Sequence, residues 1–212
     1  MYQYYLFDFD YTLVNSETGI VGCFQRTLAR IGRPPAPVDD IRRTIGLPMP
    51  TAVGQILQET DPSKIEAFTS LYREFANQYM TPGTLFYPET LPMLRQLQQV
   101  KARTAVISSK TSHRIAEKFA DEQVTDLIEF IIGCNEVRKL KPDPEGIRLA
   151  LQRFNADPSE VLYIGDSIID AESAKNAGVA FAGVTTGATT AAELGVWPHI
   201  AILENLSNIP KL

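Results

Sequence analysis

Tyr4-Tyr5-Leu6-Phe7-Asp8-Phe9-Asp10-Tyr11-Thr12 is an apolar run that meets two carboxylates, two residues apart. It is too short to cross a membrane and reaches charge at once. It therefore reads as a buried strand rather than a signal peptide or a membrane span. Paired acids directly after a strand are unfavourable for a core and useful for chemistry. One carboxylate can attack phosphorus while a neighbouring carboxyl gives a proton to the leaving oxygen. The bland alternative is an Asx turn beside a solvated aspartate.

Further apolar runs lie at Thr104–Ser108, Phe130–Gly133, Val161–Ile164, Phe181–Val184 and Ile200–Leu203. Amphipathic helical patterns separate most of them, over Pro88–Gln99, Ser112–Glu122, Pro144–Phe154 and Ile169–Ala177. Near-continuous strands alternating with helices predict an α/β fold, a Rossmann-like parallel sheet with helices on both faces. Between residues 15 and 81 the pattern is helical throughout, at Gly19–Ile31, Pro37–Thr44, Pro50–Glu59 and Ser63–Tyr79. An inserted α-helical cap domain is expected at 15–81, leaving 1–14 and 82–212 as the catalytic core. Asn15-Ser16 and Thr81-Pro82-Gly83 supply the turn chemistry at its ends.

A length of 212 residues suits one such core with a modest insertion, and 44% hydrophobic residues are ample to pack it. The net charge of -5, with no basic cluster, argues against nucleic acid as a partner. Cys23 and Cys134 have no paired metal-ligand spacing and are expected to be buried small hydrophobes in a reducing cytoplasm. Neither a heptad pattern nor an obvious exposed apolar stripe points to a partner, which leaves a monomer or homodimer.

Parallel sheets gather ligands at the carboxyl ends of their strands, so the residues there carry the functional reading. Ser108-Ser109-Lys110 follows the second strand and is expected to open a helix, where a hydroxyl and free backbone N–H groups hold an anion. An ordinary serine N-cap is the competing reading. In Lys139-Leu140-Lys141-Pro142-Asp143-Pro144, prolines stiffen the segment after Lys141, whose ammonium can neutralise a phosphoryl oxygen; a surface lysine is the alternative. In Gly165-Asp166-Ser167-Ile168-Ile169-Asp170, two acids four apart can share a hard cation. Asp166 alone would also serve as a helix cap, whereas Asp170 falls among apolar helical neighbours. His113 reads as solvated or capping and His199 as part of a late loop. Arg42 and Arg43 read as a solvated helix end, with reach toward an anionic substrate as the sharper alternative.

These four motifs together resemble the haloacid dehalogenase-like hydrolase superfamily over nearly the whole chain. They are most similar to its helical-cap subgroup, which includes phosphoglycolate phosphatases and β-phosphoglucomutases. Supporting stretches are Ile45-Gly46-Leu47-Pro48, Phe86-Tyr87-Pro88, Ile131-Ile132-Gly133 and Ala174-Lys175-Asn176-Ala177-Gly178. The resemblance implies that Asp8 attacks phosphorus and that Asp10 acts as general acid, then base. It implies that Ser108, with Ser109 as the neighbouring alternative, binds the phosphoryl group and that Lys141 steadies its charge. Mg2+ would be held by Asp8, the Asp10 carbonyl and Asp166, with Asp170 in direct or water-mediated support. The position after the second aspartate is usually glycine in this family and is Tyr11 here. Tyr11 is expected to take an ordinary backbone conformation, because tyrosine tolerates unusual angles poorly.

The implied activity is hydrolysis of a small phosphorylated metabolite by a cytoplasmic enzyme. A phosphoglucomutase-like isomerase or a pyrophosphatase would use the same core. A dehalogenase has no use for Asp10. Phosphonate hydrolysis would want a Schiff-base lysine in the cap, where only Lys64 in a polar stretch is on offer. A non-catalytic role is disfavoured because none of the acidic, serine or lysine motifs has decayed.

Overall fold

The computed structural model describes residues 2–212, which divide into two compact units, residues 2–14 with 86–212 and residues 15–85. The first unit is built on six parallel strands: β1 Tyr4–Phe7, β2 Arg103–Ile107, β3 Phe130–Ile132, β4 Val161–Gly165, β5 Ala180–Val184 and β6 Ala201–Leu203. Their spatial order is β3-β2-β1-β4-β5-β6. Tyr4–Phe7 pairs with Arg103–Val106 on one side and with Val161–Ile164 on the other. The chain thus works outward from β1 in one direction and, from β4, in the other. That reversal beside β1 is where an open parallel sheet leaves a crevice at its strand ends.

Strand alternation assigns β1 to both faces. Tyr5 and Phe7 are fully buried with Met93, Leu94 and Leu97 of α5 (Thr90–Gln99) and Ile115 and Phe119 of α6 (Ser112–Asp121). Leu6 points the other way, into a cluster with Ile147 and Ala150 of α7 (Glu145–Phe154) and Ala171 and Ala174 of α8 (Ile168–Ala177). Helices therefore cover both faces, and a short helix α9 (Ala191–Leu194) follows β5. Each helix between strands returns the chain to the same edge, so every strand delivers its next residue to one rim.

The second unit holds α1 (Glu17–Arg30), α2 (Val38–Arg42), α3 (Met49–Leu57) and α4 (Pro62–Tyr79). Its local signals are legible. Asp61 caps α4 by accepting from Ser63 N at 2.9 Å, and Pro62 fills the first turn, where its missing N–H is no loss. Its own core centres on Phe24, whose ring lies 5.8 Å from Phe68 and 5.0 Å from Tyr72. Among the described residues, no helix is long and apolar enough to cross a membrane.

Leu6 is fully buried between the sheet and α7 and α8. Leu6→Ala should destabilise the first unit by about 2–5 kcal/mol in urea titration, because the close-packed surroundings cannot collapse into the space.

Candidate active site at the strand ends

Asp8 stands immediately beyond β1, and its backbone N–H donates to Ile164 O of β4 at 2.8 Å. This bond stitches the aspartate across the point where strand order reverses. Asp166 follows β4, Asp170 lies in the first turn of α8, and Lys141 arrives on the loop before α7. One carboxylate oxygen from each of Asp8, Asp166 and Asp170 lies within 4.8 Å of the others, and all three residues are buried. The Lys141 ammonium is 3.0 Å from Asp8 Oδ1 and 2.6 Å from Asp170 Oδ1.

Asp170 is fixed on both oxygens. Its Oδ2 accepts from the Ser167 N–H at 3.2 Å and the Ser167 hydroxyl at 2.6 Å, the reciprocal capping box that opens α8. Its Oδ1 accepts from Lys141 at 2.6 Å and lies 2.9 Å from the Tyr163 hydroxyl. Gly165 permits this approach, since a Cβ there would fall 2.4 Å from Asp170 Cβ. The helix cap is thus Ser167, and Asp166 is not used as one. Instead Asp166 Oδ1 accepts from the Thr12 hydroxyl at 3.1 Å. Its other oxygen lies against Gly187, where an added Cβ would come to 1.8 Å from Oδ2. Backbone from the loop after β5 therefore sets the position of the Asp166 carboxylate.

Charge does not balance at this cluster. Burial pushes the Asp8 carboxyl up to about 6, with Lys141 opposing and Asp170 and Asp10 reinforcing the rise. Burial, then Asp170 and Asp8, raises Asp166 well above the usual carboxylate range. Burial alone would lower Lys141, but Asp170 and Asp8 hold it well above its ordinary value. Asp8 Oδ1 is buried and accepts no aligned hydrogen bond; Lys141 contacts it only as an ion pair. An all-oxygen donor set with an unsatisfied buried carboxylate oxygen and excess negative charge fits a hard divalent cation.

Asp10 lies on the same rim, with its carboxylate held by the Lys110 ammonium at 2.8 and 2.9 Å. Ser108 Oγ accepts from the Lys110 N–H at 3.3 Å, and Ser109 Oγ is buried with no hydrogen-bond partner. The helix does not open at Ser108–Lys110 as expected: α6 starts at Ser112 with Thr111 as its N-cap, leaving the three residues in the preceding loop. Of the two lysines in the Lys139–Pro144 segment, Lys141 is buried and Lys139 is exposed. His113 is exposed, and His199 Nδ1 lies 2.7 Å from Trp197 O in a late loop. Arg42 pairs with Glu17 and Asp39 inside the helical unit. Cys23 is buried as expected, but Cys134 is only half-buried because it lies in the loop just beyond β3.

Tyr11 departs from its expected ordinary conformation. Its φ is +60°, the left-handed region, at a strain of about 1–2 kcal/mol for a residue with a Cβ. The turn over-determines it: Tyr11 N donates to Val14 O at 2.8 Å, Leu13 N donates to Phe9 O at 2.9 Å, and the Thr186 hydroxyl donates to Tyr11 O. The backbone angle that glycine would adopt freely is therefore kept, with a buried tyrosine in it.

Four participants escaped the sequence reading. Lys110 was visible beside Ser108, but nothing local showed its partner. Thr12 lay inside the quoted first motif, Tyr163 resembled any apolar strand residue, and Gly187 had its signal in following a strand end.

The family model for haloacid dehalogenase-like hydrolases matches residues 5–184. The chain belongs to this family. A solved haloacid dehalogenase-like hydrolase from Bacteroides fragilis is 42% identical, with a TM-score of 0.95 covering 99% of this chain and 100% of that one. A phosphoglycolate phosphatase from Rhodobacter capsulatus is 31% identical over 98% of this chain and 94% of its own length. Pyrophosphatase PpaX from Listeria innocua is 30% identical over 96% and 93%.

Gly187→Ala places a methyl group against Asp166 while leaving every carboxylate present. Calorimetric titration should show Mg2+ affinity falling at least about tenfold, as when the support of a metal ligand is lost. Unchanged affinity would mean that the β5 loop does not position Asp166.

Proposed function

We propose that this protein is a Mg2+-dependent phosphatase that hydrolyses a small phosphomonoester through an aspartyl phosphate on Asp8. The observation that carries the reading is Asp8 itself, buried at the strand end with an oxygen free of hydrogen bonds and an ammonium 3.0 Å away. Asp8, Asp166 and the Asp10 carbonyl would hold Mg2+. Asp170 supports the site through Lys141, and both its oxygens are already engaged. Bound there, the ion would withdraw charge from the phosphoryl oxygens and offset the carboxylate excess.

The chain's own groups divide the remaining work. A carboxylate oxygen of Asp8 attacks phosphorus as the bond to the ester oxygen breaks, and Asp10 delivers a proton to the departing oxygen. Water then attacks the same phosphorus and gives its proton to Asp10. The acyl-phosphate bond breaks, inorganic phosphate leaves and the Asp8 carboxylate is restored. Lys141 neutralises charge throughout, and Ser108 with the surrounding loop receives the phosphoryl oxygens. We read the helical unit as a cap that selects the leaving group. The reading gains support from the phosphoglycolate phosphatase relative, while PpaX makes inorganic pyrophosphate the alternative substrate.

Mg2+-dependent phosphate release should be measured on p-nitrophenyl phosphate, phosphoglycolate, sugar phosphates and pyrophosphate. At least one should turn over, and Asp8→Asn should lower kcat by about a thousandfold or more, as loss of a nucleophile does. Turnover that survives Asp8→Asn would place the nucleophile elsewhere. Preference for pyrophosphate would replace the monoester reading.

A further inference from the structure

We propose that Lys110 is a phosphoryl-reading latch that holds Asp10 until the substrate's anionic group draws it away. The proposal rests on the phosphatase reading and adds a role for a residue that this mechanism does not use. Lys110 Nζ engages both Asp10 oxygens, at 2.8 and 2.9 Å, in a pair whose side chains are only 11% and 8% exposed. Ion pairs this sheltered are screened far less than surface pairs. With both oxygens taken by the ammonium, the carboxyl group is occupied by its partner rather than presented to a leaving group.

The placement of Lys110 suits a second partner. Its backbone N–H bonds to Ser108 Oγ at 3.3 Å, and its carbonyl accepts from Cys134 N at 3.1 Å. The main chain is thus anchored in the loop that carries the candidate phosphoryl ligands, while the ammonium hangs on a flexible four-carbon stem with three donors. A phosphoryl group arriving over Asp8 brings more negative charge than the Asp10 carboxylate and competes for the same cation. Transfer of Lys110 to a phosphoryl oxygen contributes to binding and releases the Asp10 carboxylate, which takes up a proton from solvent and then carries it to the leaving oxygen. Catalytic readiness is thereby tied to occupancy by an anion.

The test removes the latch's partner before asking about the latch. Asp10→Asn abolishes the ion pair, so in that background a lysine that served only as Asp10's partner has nothing left to do. Calorimetric titration with inorganic phosphate in the presence of Mg2+ should show Asp10→Asn, Lys110→Met binding at least tenfold more weakly than Asp10→Asn alone. Equal affinity overturns the latch. A wild-type crystal structure with orthovanadate gives an answer independent of how the variants fold. Lys110 Nζ should contact a vanadate oxygen and have released at least one Asp10 oxygen; retention of both Asp10 contacts overturns the proposal. Failure of the wild type to bind either anion would instead remove the phosphatase reading, and the latch with it.

Discussion

Three carboxylates and one ammonium share a buried volume at the end of β1, and this imbalance of charge is the constraint on which the site depends. Two unit charges at the separations seen among Asp8, Asp166 and Asp170 repel by about 3–4 kcal/mol at an effective dielectric near 20. Lys141 relieves part of that, at 3.0 Å from Asp8 and 2.6 Å from Asp170. The fold accepts the remainder because the backbone holds each group: a cross-strand bond on Asp8, a capping box on Asp170, and Thr12 with Gly187 around Asp166. Strain is accepted alongside it, in the left-handed Tyr11 that turns the chain away from Asp10. An all-oxygen cluster of this kind fits a hard divalent cation.

The two carboxylates on the first motif are separated in role by their partners. Asp8 faces a lysine that is itself shared with Asp170. Asp10 is held on both oxygens by a lysine of its own. The two buried aspartates thus sit in different electrostatic settings two residues apart. That division follows from loops on different strands converging at one rim, which only the reversal of strand order beside β1 allows.

Much of this was legible in the residues. The sheet could be read because most strands are apolar runs of three to five residues flanked by helical periodicity, as at Val161–Gly165 before α8. Asp8, Lys141, Asp166 and Asp170 could be placed at one rim because each follows a strand or opens a helix. Long-range pairing was not legible: the Lys110–Asp10 bond joins residues a hundred positions apart, and no local pattern encodes it. Tyr163 was hidden because its ring packs as a strand residue should and only its hydroxyl reaches the charged cluster. Tyr11 holds a left-handed angle that its side-chain propensity alone disfavours. The turn is imposed by two local bonds, to Val14 O and Phe9 O, and by one tertiary bond, from the Thr186 hydroxyl to Tyr11 O.

A cation bound by the proposed carboxylate site must add to the stability of the native state. The most direct measurement is the thermal unfolding midpoint of the wild type in Mg2+ and in a chelator, repeated with Asp166→Asn. At a hundredfold excess over the dissociation constant, a cation that binds only the native state adds about 2.7 kcal/mol. For a chain of this size that is a rise of roughly 5–10 °C. The account predicts such a rise in the wild type and a much smaller one in Asp166→Asn. Identical midpoints with and without Mg2+ in the wild type would contradict it.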